Sequence, residues 1–198
     1  MSSGEVESVT VVRPLKIMAF VCGCLALILA ITCIASDYWL EADGFRQGLW
    51  RYCFQPSEGA DYGCADNDKV FSERQTWITA SAALSIISML FIFGGTVVIG
   101  IALISKQSDS RKTMFVGAIG LFAFAVLCMV ITMIVFPVMF VEEIQEYREN
   151  FGFEKWYFAW SYGIAWGSAI FTFGGAVLLF IDKDNDDILY REKNYYET

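Results

Sequence analysis

Cys53 and Cys64 are the residues of this chain best placed to form a covalent bond. Both stand in the polar stretch GLWRYCFQPSEGADYGC, Gly48 to Cys64, whereas Cys22, Cys24, Cys33 and Cys128 lie inside apolar runs. A matched pair of cysteines in a polar loop reads as a disulfide made in an oxidising compartment; the alternative is two unrelated thiols. Closing that loop stabilises by about 3 kcal/mol through chain entropy. Cys22-Gly23-Cys24 points its two thiols about 200° apart on a helix, which reads as small core residues rather than a metal or redox pair. Histidine is absent, and with it the commonest general base and metal ligand. No P-loop, Gly-x-Ser-x-Gly or Cys-x-x-Cys occurs, and Asn67, Asn150, Asn185 and Asn194 all lack a sequon. These absences argue against an enzyme and against a catalytic, cofactor-binding or metal site. The acids Glu41, Asp43, Glu58, Asp61, Asp66 and Asp68 surround the cysteine pair and could attract cations; the alternative is a solvated acidic loop.

The elements that hold these residues are set by charge. Four segments, 17–35, 77–104, 114–141 and 156–181, contain no Asp, Glu, Lys or Arg and have 19, 28, 28 and 26 residues. Roughly 20 apolar residues span a bilayer, so each reads as a transmembrane helix, and 1–198 as one membrane domain. The first reads as a retained anchor rather than a cleaved signal. Pro14 suits the first turn of that helix. Between the spans lie an N-terminal arm (1–16), a first loop (36–76), a middle loop (105–113), a second outer loop (142–155) and a tail (182–198). The middle loop alone is net positive, with three basic residues and one acidic, which favours the cytoplasm. The cysteine pair puts the first and second outer loops outside and both termini in the cytoplasm. No basic cluster suggests nucleic acid.

The first loop is rich in aromatics, and in LWRYCF the residues alternate with the period of a strand. DYWLEA and KVFSE suggest two further strands, separated by Asp43-Gly44, Gln55-Pro56 and Glu58-Gly59. A small antiparallel sheet results, with Phe151-Gly152-Phe153 as a further short strand beside it. The third helix, about 42 Å long, tilts or projects beyond the membrane, and Pro137 should bend its outer end. Gly163, Gly167, Gly174 and Gly175 read as helix-packing residues. Gly163 and Gly167 have GxxxG spacing, for packing within the chain or for self-association. The tail reads as a solvated, disordered segment; Tyr190, Tyr195 and Tyr196 beside its acids are candidates for phosphorylation.

Trp39, Gly48-Leu49-Trp50, Cys53 and Cys64, placed between the first two of four spans and followed by Arg74, resemble the motif of the claudin, peripheral-myelin-protein and epithelial-membrane-protein superfamily. Pro14-Leu15-Lys16, FPVMFVE (136–142) and YGIAWGSAIFTFGGAVL (162–178) look like the transmembrane protein 47 branch, claudin-like proteins of adherens junctions. The resemblance implies a left-handed four-transmembrane helix bundle with a small extracellular antiparallel β-sheet. It implies that Trp50 tucks against the helix tops, that Cys53–Cys64 joins two strands and that Arg74 packs nearby. It also implies a plasma-membrane protein at cell–cell junctions, near the cadherin–catenin complex and cortical actin, with other claudin-like proteins or further copies of itself as partners. Its work would be to organise adhesion; the alternatives are a paracellular barrier or cation channel of a tight or septate junction, and an ion-channel auxiliary subunit, since calcium-channel gamma subunits share the superfamily. The stretch from Trp39 to Arg74 is shorter than in typical claudins. The terminal Thr198 fits PDZ grooves poorly, and no cysteine in the middle loop invites palmitoylation.

Overall fold

A computed structural model describes residues 14–42, 44–55, 59–66, 76–105, 108–151 and 156–196, with the backbone alone at 108–109, 143–151 and 183–196. Its helices are α1 (Pro14–Ala35), α2 (Thr76–Ile104), α3 (Ser108–Phe151) and α4 (Trp160–Tyr196); its strands are β1 (Leu40–Ala42), β2 (Phe45–Gln47), β3 (Arg51–Phe54), β4 (Gly63–Asp66) and β5 (Trp156–Phe158). Four of these segments are long and apolar enough to cross a membrane: Pro14–Ala35, Thr76–Ile104, Ser110–Glu142 and Trp160–Asp182. Large apolar side chains such as Ile28, Leu90, Leu127 and Phe173 stay exposed on the bundle surface, where lipid rather than water is their solvent.

Inside the bundle the contact residues are small. α1 buries Ala19, Gly23, Ala26, Ala30 and Cys33, spaced alternately four and three apart. α2 buries Ile78, Ser81, Ser85, Ser88, Ile92, Gly95, Ile99 and Ala102, spaced alternately three and four. A seven-residue repeat of buried positions is the pattern of left-handed supercoiling, and small side chains let membrane helices approach closely. Buried hydroxyls tie neighbouring helices through backbone: Ser88 Oγ donates to Ala125 O at 2.8 Å and Ser168 Oγ to Ala26 O at 2.9 Å.

The tightest packing surrounds Phe122 of α3, which is fully buried. A Cβ on Gly95 of α2 would lie 2.5 Å from its ring; one on Gly23 of α1 or on Gly175 of α4 would lie 3.0 Å from it. Three helices thus each present a bare backbone to one aromatic ring. Of the glycines expected to pack helices, only Gly175 stands in this socket. Gly163 and Gly174 face open space, and Gly167 meets only Leu29 Cδ1 at 3.5 Å. Gly163 and Gly174 therefore make no close contact within the chain, among the described residues; sequence spacing does not say which face of α4 is buried.

At the end of the bundle away from the sheet, Lys16 Nζ reaches Asp182 Oδ2 at 2.8 Å, with side chains 12% and 2% exposed, and lies 4.8 Å from the Phe115 ring centroid. The ion pair joins α1 to α4 where each helix leaves its apolar run.

Several boundaries differ from expectation. The fourth span starts at Trp160, not 156, because Trp156–Phe158 extends and pairs with β1; a charge-free aromatic run suits either state. Phe151 ends α3, and Gly152 and Phe153 lie outside the described residues, as does all of KVFSE (69–73). α3 continues through Pro137 and is 44 residues long, about 66 Å at 1.5 Å per residue. The tail, read as disordered, continues α4 to Tyr196.

Candidate functional site

The first loop and β5 form one antiparallel sheet in the order β4-β3-β2-β1-β5. Ala42 pairs with Phe45 across a two-residue turn. Gly44 takes φ +72° there, a left-handed conformation that glycine adopts without penalty. Beyond β5 the ladder continues as Ala159 N–H donates to Trp39 O and Ser161 N–H to Tyr38 O, both at 3.1 Å.

The last four carbonyls of a helix lack intrahelical partners. Two indoles supply them at the end of α1: Trp39 Nε1 donates to Cys33 O and Trp50 Nε1 to Ile34 O, each at 2.8 Å. Trp39 is fully buried, with its centroid 5.0 Å from that of Phe136 and 6.2 Å from that of Tyr162. Trp50 is 44% exposed. Trp39 therefore holds the deep position, and Trp50 meets the top of α1 through its N–H while its ring stays open. Gly48 lets the chain reach this position: a Cβ there would stand 2.5 Å from Asp37 Cα and 3.0 Å from Ser36 O. Leu49 beside it is buried.

Strand register sorts the side chains. Leu40, Ala42, Phe45, Trp156 and Phe158 line the face toward the bundle. Phe45 and Trp156 meet Phe140 of α3 with centroids 6.5 and 6.3 Å away, and Phe158 stacks on Tyr162 of α4 at 4.5 Å. Glu41 lies opposite both Tyr157 and Arg46, Arg46 opposite Cys53, and Cys53 opposite Cys64. One row therefore crosses all five strands on the face away from the bundle, open at Tyr157, Glu41 and Cys64 and covered at Cys53, which is fully buried. In it Cys53 and Cys64 form a disulfide between β3 and β4. The Arg46 guanidinium sits 4.6 Å from the Tyr38 ring and 4.5 Å from the Tyr62 ring, a cation held between two π faces. It also donates to Tyr38 Oη and approaches Cys64 Sγ at 3.9 Å. Tyr157, 59% exposed, ends the row. Arg51 and Asp66 add an exposed ion pair at 3.4 Å, of the kind that contributes little.

Tyr38, Arg46, Tyr62 and Tyr162 were not singled out in the sequence. The Asp43-Gly44 hairpin signal, read as a two-residue turn, would have put Glu41 opposite Arg46. Arg74, Asp43, Glu58 and Asp68 lie outside the described residues. Among the described residues no group of three His, Cys, Asp or Glu side chains could hold a metal ion. The rigidity of the sheet is testable: reducing Cys53–Cys64, or Cys64→Ser, should destabilise the purified protein by about 3 kcal/mol, read as a lower melting temperature. Thiol alkylation should label both positions only after reduction.

A family model described as the PMP-22/EMP/MP20/Claudin family matches residues 12–179. A protein of Danio rerio named p53 apoptosis effector related to PMP-22 is 32% identical over 177 residues, covering 86% of each chain. The lens fiber membrane intrinsic proteins of Rattus norvegicus and Mus musculus are each 25% identical over 159 residues, 77% of this chain and 82% of theirs.

Proposed function

The chain belongs to the PMP-22/EMP/MP20/claudin family, and on that premise we propose that it is a structural, non-enzymatic protein of the plasma membrane that organises adhesion at cell–cell junctions. The sheet stands outside and both termini lie in the cytoplasm. The observation that carries this reading is the five-stranded sheet, stapled by Cys53–Cys64 and clamped to α1 by two indoles, with the row from Tyr157 to Cys64 turned outward. A preorganised surface loses little entropy on binding. Partners are junction proteins, namely the cadherin–catenin complex or other claudin-like proteins, and further copies of this chain. The narrower placing, in the transmembrane protein 47 branch, rests on the segments at 14–16, 136–142 and 162–178.

Proximity labelling from a C-terminal tag in a polarised epithelium tests it. Cadherin, catenins and actin regulators should be enriched at contacts; a uniform distribution over the cell surface overturns the proposal. Enrichment of barrier scaffolds instead would favour a paracellular barrier or channel. That alternative has less support, because of the described candidate acids Glu41, Asp61 and Asp66, Asp66 is already paired with Arg51. The name of the Danio rerio relative suggests a second reading, an effector of apoptosis. It would show as cell death on overexpression without enrichment at contacts.

A further inference from the structure

Pro137 has no N–H, so the carbonyl four residues earlier, Met133 O, loses its helical donor. In a membrane an unsatisfied carbonyl is costly. Tyr162 Oη of α4 donates to this same oxygen at 2.8 Å. The Tyr162 ring stacks on Phe158 of β5, 4.5 Å away, and lies edge-on to Trp39 at 6.2 Å. Phe136, beside the proline and fully buried, is held between Trp39 at 5.0 Å and Trp77 of α2 at 5.3 Å. The break in α3 is therefore read by one hydroxyl whose ring rests on the edge strand of the sheet.

We propose that Tyr162 is a positioning residue that latches the proline-freed carbonyl of α3 and so couples the outer end of that helix, residues 138–151, to the sheet edge at β5. The latch holds whatever partner the sheet engages, and it makes a displacement of β5 felt in α3 and the reverse.

The test is a double-mutant cycle in nanodiscs with Tyr162→Phe, Pro137→Ala and both. Tyr162→Phe keeps the ring and removes the donor. It should lower the melting temperature by about 2–4 °C and speed hydrogen exchange over 138–151 about fivefold, the factor carried by one neutral hydrogen bond. In the Pro137→Ala background residue 137 again has an N–H for Met133 O, and both effects should shrink to less than half. A role for the ring alone predicts no effect of Tyr162→Phe in either background, and a hydroxyl whose worth is independent of the proline predicts equal effects in both; either result overturns the proposal. Infrared spectra with carbonyl-13C methionine, using Met133→Leu to identify the band, give a second readout. The Met133 band should rise in wavenumber in Tyr162→Phe and fall in Pro137→Ala relative to wild type. The second comparison does not require Tyr162→Phe to fold: a fall as large as that of a free carbonyl gaining its first hydrogen bond would show that Met133 O is unheld in the wild type and overturns the latch.

Discussion

Phe122→Ala should destabilise the bundle by about 3–5 kcal/mol, the range for truncating a buried aromatic. The ring meets the space left by Gly23, Gly95 and Gly175 alike, so the cavity would be lined in good part by backbone from three helices. Backbone cannot move inward as a flexible side chain can, and the cost should fall at the upper end of that range. The complementary change overfills the same place: Gly95→Val sets branched carbon where even a Cβ comes within 2.5 Å of the ring. Overpacking of this kind costs about 1–3 kcal/mol and often more when the neighbour is hemmed in. Thermal unfolding in detergent, followed by tryptophan fluorescence, measures both. Combining Gly95→Ala with Phe122→Leu should recover part of the loss of either change, because the smaller side chain makes room for the methyl. Fully additive losses would show that the socket is not one packed unit.

Trp39→Ala should cost as much again, about 3–5 kcal/mol, and far more than Trp50→Ala. Both indoles satisfy a carbonyl at the end of α1, but Trp39 also fills the junction between Phe136 and Tyr162, whereas almost half of Trp50 remains open. Trp39→Phe separates the two contributions. It retains most of the apolar contact and leaves Cys33 O without its donor, for a loss of about 1–3 kcal/mol. Melting curves of the purified variants, with surface biotinylation of the same variants in cells, give the order. Trp50→Ala proving the more damaging would refute the assignment of the deep packing to Trp39.

The spans were legible because charge is excluded from hydrocarbon, and four charge-free runs leave one arrangement. The sheet was legible only in part. Arg51–Phe54 alternates as a strand should, but Gly63-Cys64-Ala65-Asp66 has the composition of a turn and becomes a strand because β3 and the disulfide hold it in register. Trp156–Phe158 reads equally as helix or strand, and pairing with β1 decides it. Two tryptophans of one motif look alike in sequence; which is buried depends on where α3 and α4 place Phe136 and Tyr162. The GxxxG spacing found glycines on α4 without finding their face, and Phe122 carried no signal, since its surroundings come from three other helices. Lys16 and Asp182 each stand one residue outside an apolar run, on the same side of the membrane by helix count, and that pairing was within reach of the sequence.

The ties between α1 and α4 also bear on how the protein is made. Ala26 with Ser168 and Lys16 with Asp182 join the first helix to the last, and Ser36, just past the first helix, bonds Ser161. A ribosome that has released three helices into the membrane has yet to supply the second member of every one of these pairs. Until the fourth helix emerges, the lysine lacks its aspartate, and the strand edge that β5 will cover is bare. The nascent chain therefore cannot complete its fold piecewise; closure waits for the fourth helix. Chains stalled before Trp156 would expose an unpaired strand edge at β1, a surface that is covered in the finished protein.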